Sequence, residues 1–141
     1  MKYLDRRSIM IYYVAIKLRY ITEGGVKLII ASDLIRGNTD TIILAHLMKK
    51  DSYGYEINKN ISTKTDGKYE FKEATLYTAF KRLEEAGYII SYWGNENVSA
   101  RRRYYSITQK GKEAYISLLN DWRNAKEMIE KLIDTGVVDN G

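Results

Sequence analysis

The 141-residue chain has no cysteine, no proline and a single histidine, His46. Without cysteine there can be neither disulfides nor thiolate metal sites, and a reducing compartment such as the bacterial cytoplasm is compatible with the composition. One histidine cannot assemble a metal cluster alone. Without proline, nothing in the covalent chain prevents long uninterrupted helices. No apolar run is long enough to span a bilayer. The run Ile9–Ile16 follows Arg6 and Arg7 in the manner of a signal peptide, but Lys17 and Arg19 interrupt it and no small-residue cleavage site follows. The patterns of covalent catalysis are missing too: there is no Cys–His pair, no nucleophile elbow and no phosphate-cradling glycine loop. Glu84 and Glu85 are neighbours in sequence, but on a helix they face different directions. Neither an enzyme nor a cofactor or metal site is expected.

What the chain does have is 13 tyrosines and a net charge of +5. Its length fits one domain with a small appendage and is enough to bury a real core. A modest positive charge permits an anionic partner without requiring one. Its distribution is more telling, because Arg101, Arg102, Arg103, Lys110 and Lys112 follow one another between Glu96 and Glu113 with no acid among them.

Residues 1–31 read as an N-terminal extension. The apolar run there can be a further strand or helix. Glu23-Gly24-Gly25 can also be encoded by a purine-rich stretch like a ribosome-binding site, which would put the start of translation near Val26–Ile30. From Leu34 to Lys50 the pattern is helical, with Ile35, Ile42, Ile43 and Leu47 on a wide apolar face. Asp51-Ser52 breaks that helix and is placed to cap the next, Tyr53–Thr65, whose Ile57 and Ile61 point inward. Asp66-Gly67 marks a turn.

The segment Glu73–Thr108 carries the most information. In E-A-T-L-Y-T-A-F-K-R-L-E-E-A-G-Y-I-I, residues Leu76, Ala79, Phe80 and Leu83 share one helical stripe, and Thr75, Thr78, Lys81 and Arg82 fall on the far side. Gly87 can stop the helix in a left-handed conformation. Two β-rich runs follow, Tyr88–Trp93 and Arg101–Ile107, around a polar tip with Gly94, Asn95 and Asn97. A helix with a polar outer face and then a basic hairpin make a winged helix. Such a unit suits DNA, because the helix reads base edges and the hairpin holds phosphates. The expected class is α+β, mainly helical: a winged helix-turn-helix over residues 32–108.

Thr108 is placed to cap a long last helix, roughly Gln109–Asp134, and 136–141 reads as a frayed tail. Tyr115, Leu118, Trp122, Ala125, Ile129 and Leu132 form a heptad seam along 109–135. A helix of this length, ~40 Å, outruns a winged-helix body, so part of its seam needs another surface. A second copy of the chain is the simplest supplier. The dimer interface is expected at Tyr115, Leu118, Leu119, Trp122, Ala125, Ile129 and Leu132.

The order S-Y-G-Y-E-I, then E-A-T-L-Y-T-A-F-K-R-L-E-E-A-G-Y-I, then Y-W-G and R-R-R-Y-Y-S-I-T resembles the PadR-type bacterial transcriptional regulators over about Ser32–Leu132. The single long helix after the wing is similar to the smaller subfamily. This resemblance implies a homodimer on double-stranded, near-palindromic operator DNA, usually repressing. Leu119-Asn120-Asp121-Trp122 also resembles the position where multidrug-binding members stack flat aromatic ligands between paired tryptophans. The matching positions are Leu34, Thr41 and Ala45, with Lys126 one turn after Trp122. Those members carry an acid where Lys126 stands, which turns the expectation from cationic drugs toward neutral or anionic planar effectors.

The residues expected on DNA are Tyr53 and Tyr55 ahead of the recognition helix, Lys68 and Lys72 at its approach, and Thr75, Tyr77, Thr78, Lys81 and Arg82 along it. Arg101, Arg102 and Arg103 belong to the wing. Either Tyr53 or Tyr55 can be a core ring instead. The arginines alternate in direction along a strand, so they cannot all meet one groove. One is expected on the other face, paired with Glu96 or stacked on Tyr92 or Trp93, and Trp93 either braces the wing or touches sugar. Trp122 is either a ligand platform or dimer core, and His46 either a core histidine or a pH switch. Two other functions remain open: a winged-helix protein-interaction module, and a small-molecule sensor built around the dimer pore.

Overall fold

The computed structural model describes Arg7, Ile11 and residues 26–95 and 101–137. The expectations for Ile9–Ile16, for Glu96 and Asn97 at the wing tip and for 138–141 lie outside these residues. The chain forms two compact units, Met1–Asn38 and Thr39–Gly141. The first contains a helix, α1 (Val26–Gly37). The second runs α2 (Thr39–Leu47), α3 (Gly54–Lys64), α4 (Glu73–Glu85), β1 (Ile89–Trp93), β2 (Arg103–Ile107) and α5 (Gln109–Ile133).

The helix expected over 34–50 is therefore two helices, interrupted at Asn38. Glycine and asparagine are poor helix formers, and the Asn38 side chain competes with the backbone. Its amide donates to the Leu34 carbonyl at 2.8 Å. In α2, Ile43, Leu44 and Leu47 are buried, and Ile57 and Ile61 supply the buried side of α3. The turn between α3 and α4 is fastened by Asn58. Its side-chain amide donates to the Phe71 carbonyl at 2.7 Å, and its oxygen accepts from the Phe71 amide at 2.8 Å.

Ser52 does not cap α3. The residue before the helix is Tyr53, which makes no side-chain cap. Ser52 is instead buried and pairs with the outer edge of β2, its amide donating to Tyr105 O at 3.2 Å and its carbonyl accepting from Tyr105 N at 2.8 Å. Its hydroxyl donates to Glu56 at 2.7 Å, and this bond is the largest reason the Glu56 carboxyl titrates below its ordinary range.

Helix α4 buries Leu76, Ala79, Phe80 and Leu83, the stripe read from the sequence. It ends as expected at Gly87, whose φ is +77°. The Gly87 amide donates to Glu84 O at 2.9 Å and the Tyr88 amide to Leu83 O at 2.9 Å, a Schellman closure. The chain then turns into an antiparallel hairpin with Ile89 opposite Ile107 and Trp93 opposite Arg103. The second strand is shorter than expected, starting at Arg103 rather than Arg101. The inner face of this hairpin closes the core: Ile89 and Tyr105 are buried, and the Tyr105 ring stacks on Phe80 at 4.0 Å. Each fully buried side chain of this set contributes ~1.5–3 kcal/mol by removal from water.

Thr108 caps α5 as expected, its hydroxyl oxygen accepting from Gly111 N at 3.0 Å. The helix starts against the hairpin and continues along α2. Gly111 is its one buried residue. Among the described residues no helix is long and apolar enough to cross a membrane.

Candidate nucleic-acid interface

With its apolar stripe in the core, α4 presents Lys72, Glu73, Ala74, Tyr77, Thr78, Lys81 and Arg82 to solvent, and Thr75 is half-buried. The phase is a direct result of 3.6-residue periodicity. Tyr77 of α4 and Tyr55 of α3 are exposed by 56% and 73%, far beyond what core packing asks of aromatic rings. These two rings border two clefts. On the wing side lies a cleft of about 840 Å³ whose walls include Trp93, Arg101, Arg102 and Arg103. Between α3 and α4 lies another of about 480 Å³, lined in part by Asn58, Lys59, Ser62 and Glu73 over a floor of Phe80. One cleft thus sets three guanidinium groups among aromatic rings, and the other mixes hydroxyl, amide, ammonium and carboxylate groups.

Two of the wing arginines, Arg102 and Arg103, lie on opposite faces of the hairpin, as alternation requires. Arg102 lies over the Tyr53 ring, 4.8 Å from its centroid. That ring meets Tyr104 edge-on at 5.2 Å, and Tyr104 stacks on Tyr92 at 5.6 Å. The row ends at Asp51, which accepts from the Tyr92 hydroxyl at 2.6 Å. This bond stabilises the protonated phenol and raises the Tyr92 pKa to about 12. Tyr53 is therefore half-buried as a support for the wing, whereas Tyr55 points outward. On the opposite face Arg103 donates to Ser91 Oγ at 2.8 Å, approaches Glu84 at 3.5 Å and lies over Trp93 at 5.9 Å. That is the stacking on Trp93 anticipated for one arginine. Arg101 is exposed.

Arg82 was expected among the phosphate contacts, and its exposed guanidinium is paired with a carboxylate of the same chain. Its Nε donates to Asp40 Oδ2 at 3.1 Å, and Nη2 donates to the other carboxylate oxygen. The Asp40 hydrogen bonds raise the Arg82 pKa above its ordinary value. Lys68, Lys72, Lys81 and Arg101 are exposed too, without an ion-pair partner among the described residues. Sequence reasoning missed Asp40, Asp51 and Glu84 as partners, because each meets its arginine or tyrosine across a long sequence separation. It also missed Glu73 and Ala74, which share the exposed face of α4 and were legible from its helical phase.

The residues matched to a ligand pore are distributed over both units. Leu34 lies in the first unit and is 42% exposed. Thr41 and Ala45 on α2 and Trp122 on α5 are half-buried, and Lys126 is exposed. Along the seam of α5, Tyr115, Leu118, Leu119 and Ala125 are half-buried, while Ile129 and Leu132 are exposed by 45% and 83%. His46 donates from Nδ1 to Ile42 O at 2.8 Å. Its buried Nε2 has no partner among the described residues.

Residues 43–116 match the Transcriptional regulator PadR-like family. A transcriptional regulator from Clostridium thermocellum is similar in structure with a TM-score of 0.67 at 52% identity, over 73% of this chain and 97% of that one. A PadR family transcription regulator from Clostridium difficile gives a TM-score of 0.59 at 37% identity, over 69% of this chain and 99% of that one. An uncharacterised protein from Lysinibacillus sphaericus is 42% identical over 105 residues, which is 74% of this chain and 96% of its own length. The chain belongs to the PadR-like family of transcriptional regulators, and it is a regulator rather than an enzyme.

Proposed function

We propose that this regulator binds a near-palindromic operator in double-stranded DNA as a homodimer, represses from it, and is released by a planar aromatic effector. The observation that carries the DNA reading is the outer face of α4. A helix whose apolar stripe is fully used in the core offers Thr78, Tyr77, Lys72 and Lys81 outward, beside a wing bearing exposed Arg101. Threonine and tyrosine hydroxyls can address base edges or phosphates, and the ammonium and guanidinium groups neutralise phosphates. In a dimer the two copies of α4 would enter successive major grooves ~34–36 Å apart. A repressor of this kind works where its DNA is, in the bacterial cytoplasm.

Support for self-association comes from α5. Beyond its first turn it buries no residue within its own unit, and Met128, Ile129, Leu132 and Ile133 are 45–83% exposed. A contiguous apolar strip of this kind on a charged helix fits a copy of itself. The effector reading rests on half-buried Trp122 with Lys126 one turn on, a flat apolar surface beside a cation. An effector seated between paired α5 helices would shift the distance between wings, limited by its preference for one spacing over the other.

The DNA reading is tested by the salt dependence of binding. Lys81→Ala and Arg101→Ala should each lower the slope of log affinity against log salt by ~0.9. Slopes identical to the wild type for both would remove the proposed interface. Sedimentation equilibrium tests the dimer, and quenching of Trp122 in a Trp93→Phe background tests the effector.

A further inference from the structure

Two of the cations that sequence reasoning assigned to phosphates are paired with carboxylates at the protein surface, and both pairs involve the recognition helix. Arg82, in the last turn of α4, makes a two-point bond with Asp40 in the first turn of α2. A planar guanidinium matched to both oxygens of one carboxylate fixes orientation as well as distance. On the other side, Glu84 of α4 meets Arg103 of β2 at 3.5 Å. Arg103 is itself steadied by the Ser91 hydroxyl at 2.8 Å and by the Trp93 ring. The C-terminal part of α4 is thus tied to α2 by one pair and to the root of the wing by another.

Counterions leave DNA when a protein cation neutralises a phosphate, and a guanidinium whose charge is already offset by a carboxylate adds little to that release. With Nε and Nη2 turned to Asp40, Arg82 could offer a phosphate only its remaining N–H groups, and the neighbouring carboxylate would repel that phosphate. Lys68, Lys72, Lys81 and Arg101 face no such conflict: all four are exposed, and none has an ion-pair partner among the described residues.

Building on the DNA reading above, we infer that Arg82 and Arg103 are positioning residues that set the attitude of α4 against α2 and the wing, while Lys68, Lys72, Lys81 and Arg101 neutralise phosphate. The two pairs add orientation to the core packing of Tyr105 on Phe80 that joins the base-reading helix to the phosphate-holding wing. Loosening either pair costs discrimination between operator and other DNA, whereas removing a neutralising cation weakens binding to all DNA alike.

The test compares operator with scrambled DNA of equal length over a range of salt for wild type, Arg82→Ala, Arg103→Ala, Lys81→Ala and Arg101→Ala. Arg82→Ala and Arg103→Ala should reduce operator affinity by up to about fivefold, the scale of an exposed ion pair, and leave the salt slope unchanged. Lys81→Ala and Arg101→Ala should each reduce the slope by ~0.9 on both DNAs. Charge exchange separates a pair from a phosphate contact even where single variants fold poorly. Asp40→Arg with Arg82→Asp, and Glu84→Arg with Arg103→Glu, should recover operator binding relative to Arg82→Asp and Arg103→Glu alone. Slopes that fall by ~0.9 in Arg82→Ala and Arg103→Ala, or exchanged pairs no better than the single reversals, overturn the inference while leaving the DNA reading intact. A wild-type protein that binds neither DNA overturns both.

Discussion

Gly111→Ala separates tertiary constraint from local propensity, because the two predict opposite signs. Gly111 lies in the first turn of α5, where alanine would ordinarily stabilise a helix by ~1 kcal/mol. Here an added Cβ would stand 2.0 Å from the Tyr88 carbonyl oxygen and 2.7 Å from Ile107 Cγ1. The first obstacle is backbone and cannot rotate aside, so α5 must back away from the hairpin. Overpacking of this kind costs ~1–3 kcal/mol, and the shift also strains the Thr108 cap, worth ~1 kcal/mol. With a backbone obstacle the upper end applies, giving a net loss of ~3 kcal/mol after the gain in propensity. For a chain of this size that lowers Tm by about 10 °C. The assay is thermal denaturation followed by circular dichroism at one fixed protein concentration, since association also shifts Tm. Gly37→Ala serves as the control, because nothing lies within 4 Å of a Cβ there, and it should be neutral or slightly stabilising. A Gly111→Ala protein as stable as wild type, or more so, would refute the seating of α5 against the hairpin.

Burial, with help from Lys64 and Lys49, holds the His46 pKa below its ordinary 6.5, so below that pH the unfolded chain takes up the proton more readily than the folded one. The His46 contribution to stability is therefore complete above pH 6.5 and lost as pH falls toward the folded value. Stability curves of wild type and His46→Gln should run parallel above pH ~7 and diverge below, and parallel curves at all pH would contradict this. Asp51→Asn should bring one tyrosine down from about 12 toward 10 in an ultraviolet titration, and an unchanged titration would show that the Tyr92–Asp51 bond does not form. Asn58→Ala leaves the amide and carbonyl of buried Phe71 without partners and should cost ~2–4 kcal/mol in chemical denaturation; a loss under 0.5 kcal/mol would mean that water replaces the clamp.

Much of this architecture was legible because its signals are local. The stripe Leu76–Leu83, the Gly87 stop and the Thr108 cap each depend on residues a few positions apart, and the structure shows all three. Helix propensity and phase specify such features before any tertiary contact forms. Ser52 was misread for the complementary reason. Its residue type is a good cap, but pairing with Tyr105 takes its backbone and Glu56 its hydroxyl, and neither competitor is visible without the fold. The same holds for Arg82, whose partner Asp40 lies 42 residues away. A cation on an outward helical face looks free in a sequence, and only the packing of α2 beside α4 reveals otherwise. Asn38 is an intermediate case: Gly37-Asn38 is a recognisable weak point, yet the apolar pattern continuing across it favoured a single helix.

The central claim is that the exposed face of α4 and the wing recognise a particular DNA sequence. Fluorescence anisotropy with the DNA upstream of the protein's own gene, against scrambled DNA of equal length at two salt concentrations, tests it most directly. Nanomolar binding with at least ~10³-fold preference for the upstream DNA is the predicted result. Binding to neither DNA, or equal and steeply salt-sensitive binding to both, would contradict it.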